Sequence, residues 1–267
     1  QAEDGIRDKL VTGVQTCALP IFDLNVDITQ LLPADGSDFG FDNVATALPV
    51  TPGLLERYLT AAVRITGLAL GDPKAERSEE IFPVRADANQ EGHVEGLPLG
   101  TRGGISVRYN FPVEGEYELA GLLYRPVDNA DSGIEGNDTP NQFEILIDGA
   151  RVHTASIGGE RDHVASRANL TAAREAVAAR MRVRVLMPAG PHDVGFTFME
   201  RAAGPQDIFE PNERSSQDIH VGSGAPKLRA VSITGPLSVQ GLGDTPSRRR
   251  IFMCRPNSAQ SETTCAN

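Results

Sequence analysis

Ile105-Ser-Val-Arg-Tyr-Asn-Phe111, then Pro112-Val-Glu-Gly115, then Glu116-Tyr-Glu-Leu-Ala-Gly-Leu-Leu-Tyr124 is the stretch on which the fold turns. Ile105, Val107, Tyr109 and Phe111 fall on one face, and Ser106, Arg108 and Asn110 on the other. Alternation of period two marks half-buried strands. Pro-x-x-Gly between them predicts an antiparallel hairpin. Phe143-Glu-Ile-Leu-Ile-Asp-Gly-Ala-Arg-Val152 predicts a second hairpin, with Asp148-Gly149 at the turn. The favoured two-residue turns need positive φ, which Gly supplies. Val183–Phe198 predicts a third, turning at Pro188-Ala-Gly-Pro191. Hairpins with one apolar face need a second sheet to cover that face. The expected fold is therefore mainly β, a jelly-roll-like antiparallel β-sandwich over residues 103–238.

Outward from this stretch, Asn169-Leu-Thr-Ala-Ala-Arg-Glu-Ala-Val-Ala-Ala-Arg-Met181 interrupts the β pattern. It is Ala-rich and helix-prone, with Asn169 as N-cap, and reads as a helical insertion near 169–181. Leu228–Gly235 reads as a final strand, followed by a linker over 239–267. Residues 73–102 read as a linker from their charged and turn-rich composition. Residues 23–72 read as a small helical unit ahead of the sandwich. Thr51-Pro52 is an N-cap followed by Pro at the first helical position. Leu55, Tyr58, Leu59, Ala62, Ile65 and Ala69 recur at helical spacing, and Gly71 closes the helix. The Leu-rich segment before it is the expected cover for that stripe. Residues 1–22 resemble translated sequencing-adapter DNA, with two oligonucleotides matching in order, and are expected to form a non-native arm. On that reading Cys17 has no structural meaning.

The composition excludes some partners. The chain has 267 residues and a formal charge of −11, from 36 acidic and 25 basic side chains. That balance argues against nucleic acid and against an anionic membrane, with Arg248-Arg249-Arg250 a short local exception. No run reaches the roughly 18 apolar residues of a membrane span. Among Cys17, Cys254 and Cys265 there is no Cys-x-x-Cys, so neither c-type haem attachment nor a thiol redox motif is expected.

Candidate ligands are few. Asp128-Asn-Ala-Asp-Ser-Gly-Ile-Glu-Gly-Asn-Asp138 gathers hard oxygen donors on a Gly-rich loop. Asp128, Asp131, Glu135 and Asp138 are the donors a calcium ion would take. The spacing is not that of an EF-hand, since Ala130 and Thr139 stand where ligands belong. On spacing alone a solvated loop is the simpler reading. His93 beside Glu91 and Glu95 is a weak metal pair. His153, His163 and His192 have no Ser, Asp or Cys at catalytic spacing, and His192 is expected to make a structural hydrogen bond.

Several strings carry a family resemblance. Leu31-Leu-Pro-Ala-Asp35, Gly40-Phe-Asp-Asn-Val44, Pro52-Gly-Leu-Leu-Glu-Arg-Tyr-Leu59 and Ala61–Gly71 resemble the domain of unknown function numbered 1587. Thr245-Pro-Ser-Arg-Arg-Arg-Ile-Phe-Met-Cys-Arg-Pro256 with Cys265-Ala266 resembles the start of the domains numbered 1595 and 1592. Proteins of this kind are large, bacterial, planctomycete-type and multidomain, and many carry a cytochrome c domain upstream. The resemblance implies an internal fragment of an extracytoplasmic protein, with haem in an upstream domain and other domains of the same chain as partners. In an oxidising compartment Cys254 and Cys265 would pair as a disulfide, since no nearby residues complete a zinc site. Closing so short a loop contributes on the order of 3 kcal/mol.

The hairpin-rich sandwich also resembles carbohydrate-binding modules, including calcium-dependent ones. That implies a non-catalytic binding or scaffolding module with polysaccharide as ligand. The alternative is a structural part of a cytochrome-c-linked redox enzyme or electron-transfer assembly. Sugar platforms favour exposed aromatics. Tyr109, Tyr117, Tyr124 and some Phe are available here, and Tyr109 and Tyr117 fit core phases.

Overall fold

A computed structural model of the protein describes residues 24, 31–32, 51–85, 88, 90, 92–124, 139–200, 225–254 and 265. The chain divides into two compact units, Ala75–Gly241 and Gln1–Lys74 with Leu242–Asn267. The proposed arm at 1–22 lies outside the described residues.

Among the described residues the larger unit contains eight strands: β1 (Ser78–Pro83), β2 (Thr101–Phe111), β3 (Glu114–Leu123), β4 (Asn141–Ile147), β5 (Ala150–Ile157), β6 (Arg182–Met187), β7 (Gly190–Met199) and β8 (Leu228–Gly241). They form two four-stranded antiparallel sheets, in the orders β1-β8-β3-β6 and β2-β7-β4-β5. The protein is thus mainly β, an antiparallel sandwich.

Only one of the three expected hairpins is a hairpin. β4 and β5 pair across Asp148-Gly149, whose φ values of 50° and 78° are the positive pair such a turn requires. β2 and β3 lie in different sheets, and so do β6 and β7. Pro112-Val-Glu-Gly115 and Pro188-Ala-Gly-Pro191 are therefore arches that carry the chain across the core. The physical reason is visible in the burial. Phe111, Val113, Tyr117 and Leu119 are all fully buried, with Gly115 buried between them. The inward phase never breaks, so the chain bends around the core and keeps its apolar side inside.

Aromatic edges stitch the two sheets beside this arch. Phe82 of β1, Tyr109 and Phe111 of β2, and Tyr117 of β3 follow one another edge to face. Successive ring centroids are 6.1, 4.7 and 4.8 Å apart, the geometry the ring quadrupoles favour. The Tyr117 hydroxyl donates to the Val113 carbonyl at 3.0 Å, tying the strand to its own arch. Gly235 on β8 passes against the Tyr117 ring, where any Cβ would collide with it. Tyr117 is a core residue, and Tyr109 packs half-buried against the core.

The linker expected over 73–102 is corrected by β1, which pairs with β8 from Ser78↔Gly235 to Pro83↔Ala230. Its glutamates hid it, because an edge strand tolerates charge and a terminal Pro that a central strand does not. β2 also begins earlier than expected, with a bulge between Arg102 and Ile105. Gly104 (φ 95°) presses against the Phe196 backbone and leaves no room for a side chain, and Thr197 Oγ1 donates to the Gly103 carbonyl at 3.0 Å. β8 runs on to Gly241, past the expected boundary at 238. The insertion is two helices, α2 (Glu160–Ala168) and α3 (Leu170–Arg180), with Asn169 capping α3 through Ala172 N–H at 3.0 Å. Val177 and Met181 join the main core.

In the smaller unit, α1 (Pro52–Leu70) starts at the Thr51 cap and stops at Gly71, as expected. The covered stripe is Ala61, Ile65 and Ala69, against Leu24, Leu31 and Leu32. The expected stripe is corrected at its N-terminal half, since Leu55, Tyr58 and Leu59 are exposed. The helix's apolar arc is wider than one short leucine segment covers. A short α4 (Pro246–Ile251) follows, capped by Thr245, and Arg248 donates to the Leu70 carbonyl at the C-terminus of α1.

Burial raises the Tyr117 hydroxyl from 10.0 to about 12, against the opposing effect of its hydrogen bond to Val113. A raised folded pKa means the contribution is fully present below pH 10 and is lost as pH climbs toward 12, because the unfolded phenol ionises first. Melting followed across that alkaline range should fall more steeply for wild type than for Tyr117→Phe. Near neutrality the variant should be less stable by about 1–2 kcal/mol, the cost of an unpaired buried carbonyl. Parallel alkaline curves would refute the assignment.

Candidate functional site

The two ends of the sandwich are unlike. At one end β2–β3, β4–β5 and β6–β7 are joined by tight turns. The register pairs Thr101 with Met199, Phe143 with Phe198, and Leu123 with Leu228. The β1–β2, β3–β4 and β7–β8 connections therefore all leave from the opposite end. Helix α2 leaves from it too, since Ile157 pairs with Asn141.

The roots of these connections are held by polar side chains that act in place of a ladder. The Gln90 amide donates to the Leu228 carbonyl at 2.7 Å and accepts from the Leu228 N–H at 2.8 Å, like one more strand residue. Arg102 is 6% exposed. Its guanidinium donates to the Pro226 carbonyl at 3.3 Å and to Asn141 Oδ1 at 3.2 Å, and lies 5.3 Å from the centre of the Phe198 ring. Asn141 in turn donates to the Thr139 carbonyl at 2.8 Å. One planar cation thus joins β2, β4, β7 and the segment entering β8. Tyr124 N–H to the Lys227 carbonyl at 2.8 Å and Glu200 N–H to the Gly100 carbonyl at 2.9 Å complete the roots.

Asp128, Asp131, Glu135 and Asp138 lie on the β3–β4 connection, outside the described residues. His93 and Glu95 are exposed, and Glu91 is also outside them. Among the described residues no group of three or more His, Cys, Asp and Glu side chains could hold a metal ion. No helix among them is long and apolar enough to cross a membrane. His153 Nε2 bonds the Arg180 carbonyl at 2.7 Å. The structure joins Cys254 to Cys265 as a disulfide, with Cα atoms 5.5 Å apart.

At the tight end His192 Nδ1 lies 2.6 Å from Asp148 Oδ2, the structural hydrogen bond expected of it. Asp148 Oδ1 accepts from Asp193 N–H at 3.0 Å, while Asp148 N–H donates to the Asp193 carbonyl at 2.8 Å. Arg108 grips both oxygens of Asp193 at 3.1 and 3.0 Å. The cluster locks the β4–β5 turn onto β7.

Sequence reading missed Gln90, Arg102 and the Asp148–Asp193–Arg108 set. An inward cation such as Arg102 is placed only once the bulge is counted. The Asp148 contact joins residues far apart in the chain, and no local pattern encodes it.

Residues 20–71 match the family described as PSD3: Protein of unknown function (DUF1587). No curated protein matches the chain. Three solved structures share the sandwich loosely. CBM35 from Cellvibrio japonicus Abf62 is 13% identical, with TM-score 0.30, over 63% of this chain and 99% of that one. A family 35 carbohydrate binding module from Clostridium thermocellum is 12% identical, with TM-score 0.28, over 62% and 100%. The CBM36-1 domain of a multidomain xylanase from the hindgut metagenome of Trinervitermes trinervoides is 10% identical, with TM-score 0.28, over 59% and 98%. TM-scores this low carry no argument about ligand.

Desolvation pushes the Asp148 carboxyl up, but the His192 hydrogen bond, the Asp193 N–H and the charges of His192 and Arg108 outweigh it and hold it below its usual 3.8. The stability this contributes is present above pH 3.8 and drains away as pH falls through the lowered folded value. Asp148→Asn keeps a residue that tolerates positive φ and removes the titration. Melting measured from about pH 6 down to about pH 2 should show a shallower acid limb in that variant. An unchanged limb would mean the lock contributes nothing.

Proposed function

We propose that the β-sandwich is a non-catalytic binding or scaffolding module of a larger extracytoplasmic protein, with polysaccharide as its ligand. The observation that carries this reading is the asymmetry of the sandwich. Its long connections leave together from one end, on roots fixed by Gln90, Arg102 and Asn141. Variable loops on a rigid scaffold are where binding residues concentrate. The Asp-rich β3–β4 connection springs from this end between Tyr124 and Thr139. Calcium held by Asp128, Asp131, Glu135 and Asp138 would have coordination positions left for sugar hydroxyls. The match over residues 20–71 supports placing the module beside a domain of the 1587 family.

Two measurements test this. Millimolar calcium should raise the melting temperature by mass action, by an amount set by the ratio of free calcium to its Kd. Asp128→Asn with Asp131→Asn should abolish the shift. A polysaccharide and glycan panel screened with and without chelator should show binding that the chelator weakens. No thermal shift would remove calcium, and no glycan bound in either condition would remove the carbohydrate reading. A further expectation belongs to the cysteines of the smaller unit. A non-reduced digest of the oxidised protein should yield the Cys254–Cys265 cross-linked peptide by mass spectrometry, and two free thiols there would rule the bridge out.

A further inference from the structure

The β1–β2 connection reaches β2 through two consecutive turns, and both are pinned. In the first, Val94 to Leu97, the Leu97 N–H donates to the Val94 carbonyl at 3.2 Å. In the second, Pro98 to Thr101, the Thr101 hydroxyl donates to the Pro98 carbonyl at 2.6 Å. Gly96 and Gly100 stand third in these turns with φ of 85° and 81°, the positive value a type II turn requires there. Leu97, where the two turns meet, is buried. A Cβ on Gly195 would stand 2.8 Å from Leu97 Cδ2, so the bare backbone of β7 is its seat. The Gly100 carbonyl accepts from the Glu200 N–H at 2.9 Å, which ties the second turn to the residue after β7.

Leu99 is the second residue of the second turn and is 89% exposed. Among the described residues of the larger unit, the next most exposed large apolar side chain, Leu186, is at 55%. Singly exposed apolar side chains are common. Leu99 differs in how its backbone is held: by its own turn, by Leu97 buried before it, and by the Glu200 N–H on Gly100 after it. It also stands at the end from which the long connections leave, since β2 begins at Thr101 opposite Met199. A side chain carried on a fixed backbone gives up little freedom on binding, so less of its contact energy is lost to ordering.

We propose that Leu99 is a ligand contact of this end, packing on the C–H face of a pyranose ring whose hydroxyls are all equatorial. The inference rests on the polysaccharide reading above and narrows it to a class of sugar. An aliphatic side chain offers no hydrogen bond, so the sugar must present apolar surface to it. A chair with only equatorial hydroxyls has axial hydrogens on both faces and meets that need. An axial hydroxyl, as in mannose, would turn a polar group onto Leu99 and leave it unpaired.

Titration calorimetry on the full chain with cellohexaose, xylohexaose and mannohexaose, in millimolar calcium, tests this. Cellohexaose or xylohexaose should bind more tightly than mannohexaose. Leu99→Ser should weaken that binding on the order of tenfold. Its melting temperature should match wild type, because the side chain it removes is outside the core. Val239→Ser is the control, an exposed apolar residue at the tight end, where Val239 pairs with Gly115. It should leave the affinity unchanged. The inference is overturned, and the carbohydrate reading kept, if mannohexaose binds as tightly as the other two, if Leu99→Ser binds like wild type, or if Val239→Ser loses as much. Wild type that binds none of the three overturns it as well, and the wider glycan panel then decides the carbohydrate reading separately.

Discussion

The unbroken inward phase from Phe111 through Val113 and Tyr117 to Leu119 is the constraint the sandwich depends on. It takes the chain from one sheet to the other without exposing an apolar side chain. The arch brings a backbone carbonyl into the core, where leaving it unpaired would be costly. The Tyr117 hydroxyl answers that need at Val113. The same ring stands against Phe111, and Phe111 against Tyr109. Four aromatic side chains thereby set the spacing of the sheets along that side. This matters in a chain with only 5% aromatic residues and no Trp.

Closing one end with tight turns has a consequence for the other. Every long connection must start where the turns are not, and its root must satisfy backbone groups that no ladder reaches. Gln90, Arg102 and Asn141 do this with side-chain amides and a guanidinium. These groups are nearly buried, so they specify where the connections begin. The helical insertion uses both methods at once. α3 enters the core through Val177, while Asp162 of α2 pairs with Arg180.

Much of the β architecture was legible in the residues. Alternation located β2, β3, β4 and β7, the Asp-Gly turn located the β4–β5 hairpin, and Thr51-Pro52 with Gly71 bounded α1. Alternation reports which face is buried and says nothing about which strand lies alongside. That is why Pro112–Gly115 read as a hairpin and proved to be an arch. β1 was illegible because Glu79 and Glu80 gave it the composition of a linker, and only pairing with β8 makes it a strand.

For the candidate site the division is sharper. The sequence by itself determined that Asp128, Asp131, Glu135 and Asp138 lie close together in the chain, that Cys254 and Cys265 do too, and that the charge balance disfavours anionic partners. Those are local or summed properties, and they need no fold. Only the tertiary structure decided that three connections and α2 share one end, that Arg102 joins four segments, and that Asp148 clasps Asp193. The reason is physical. Each depends on residues that are distant in sequence, and antiparallel register and the bulge at Gly103–Gly104 bring them together.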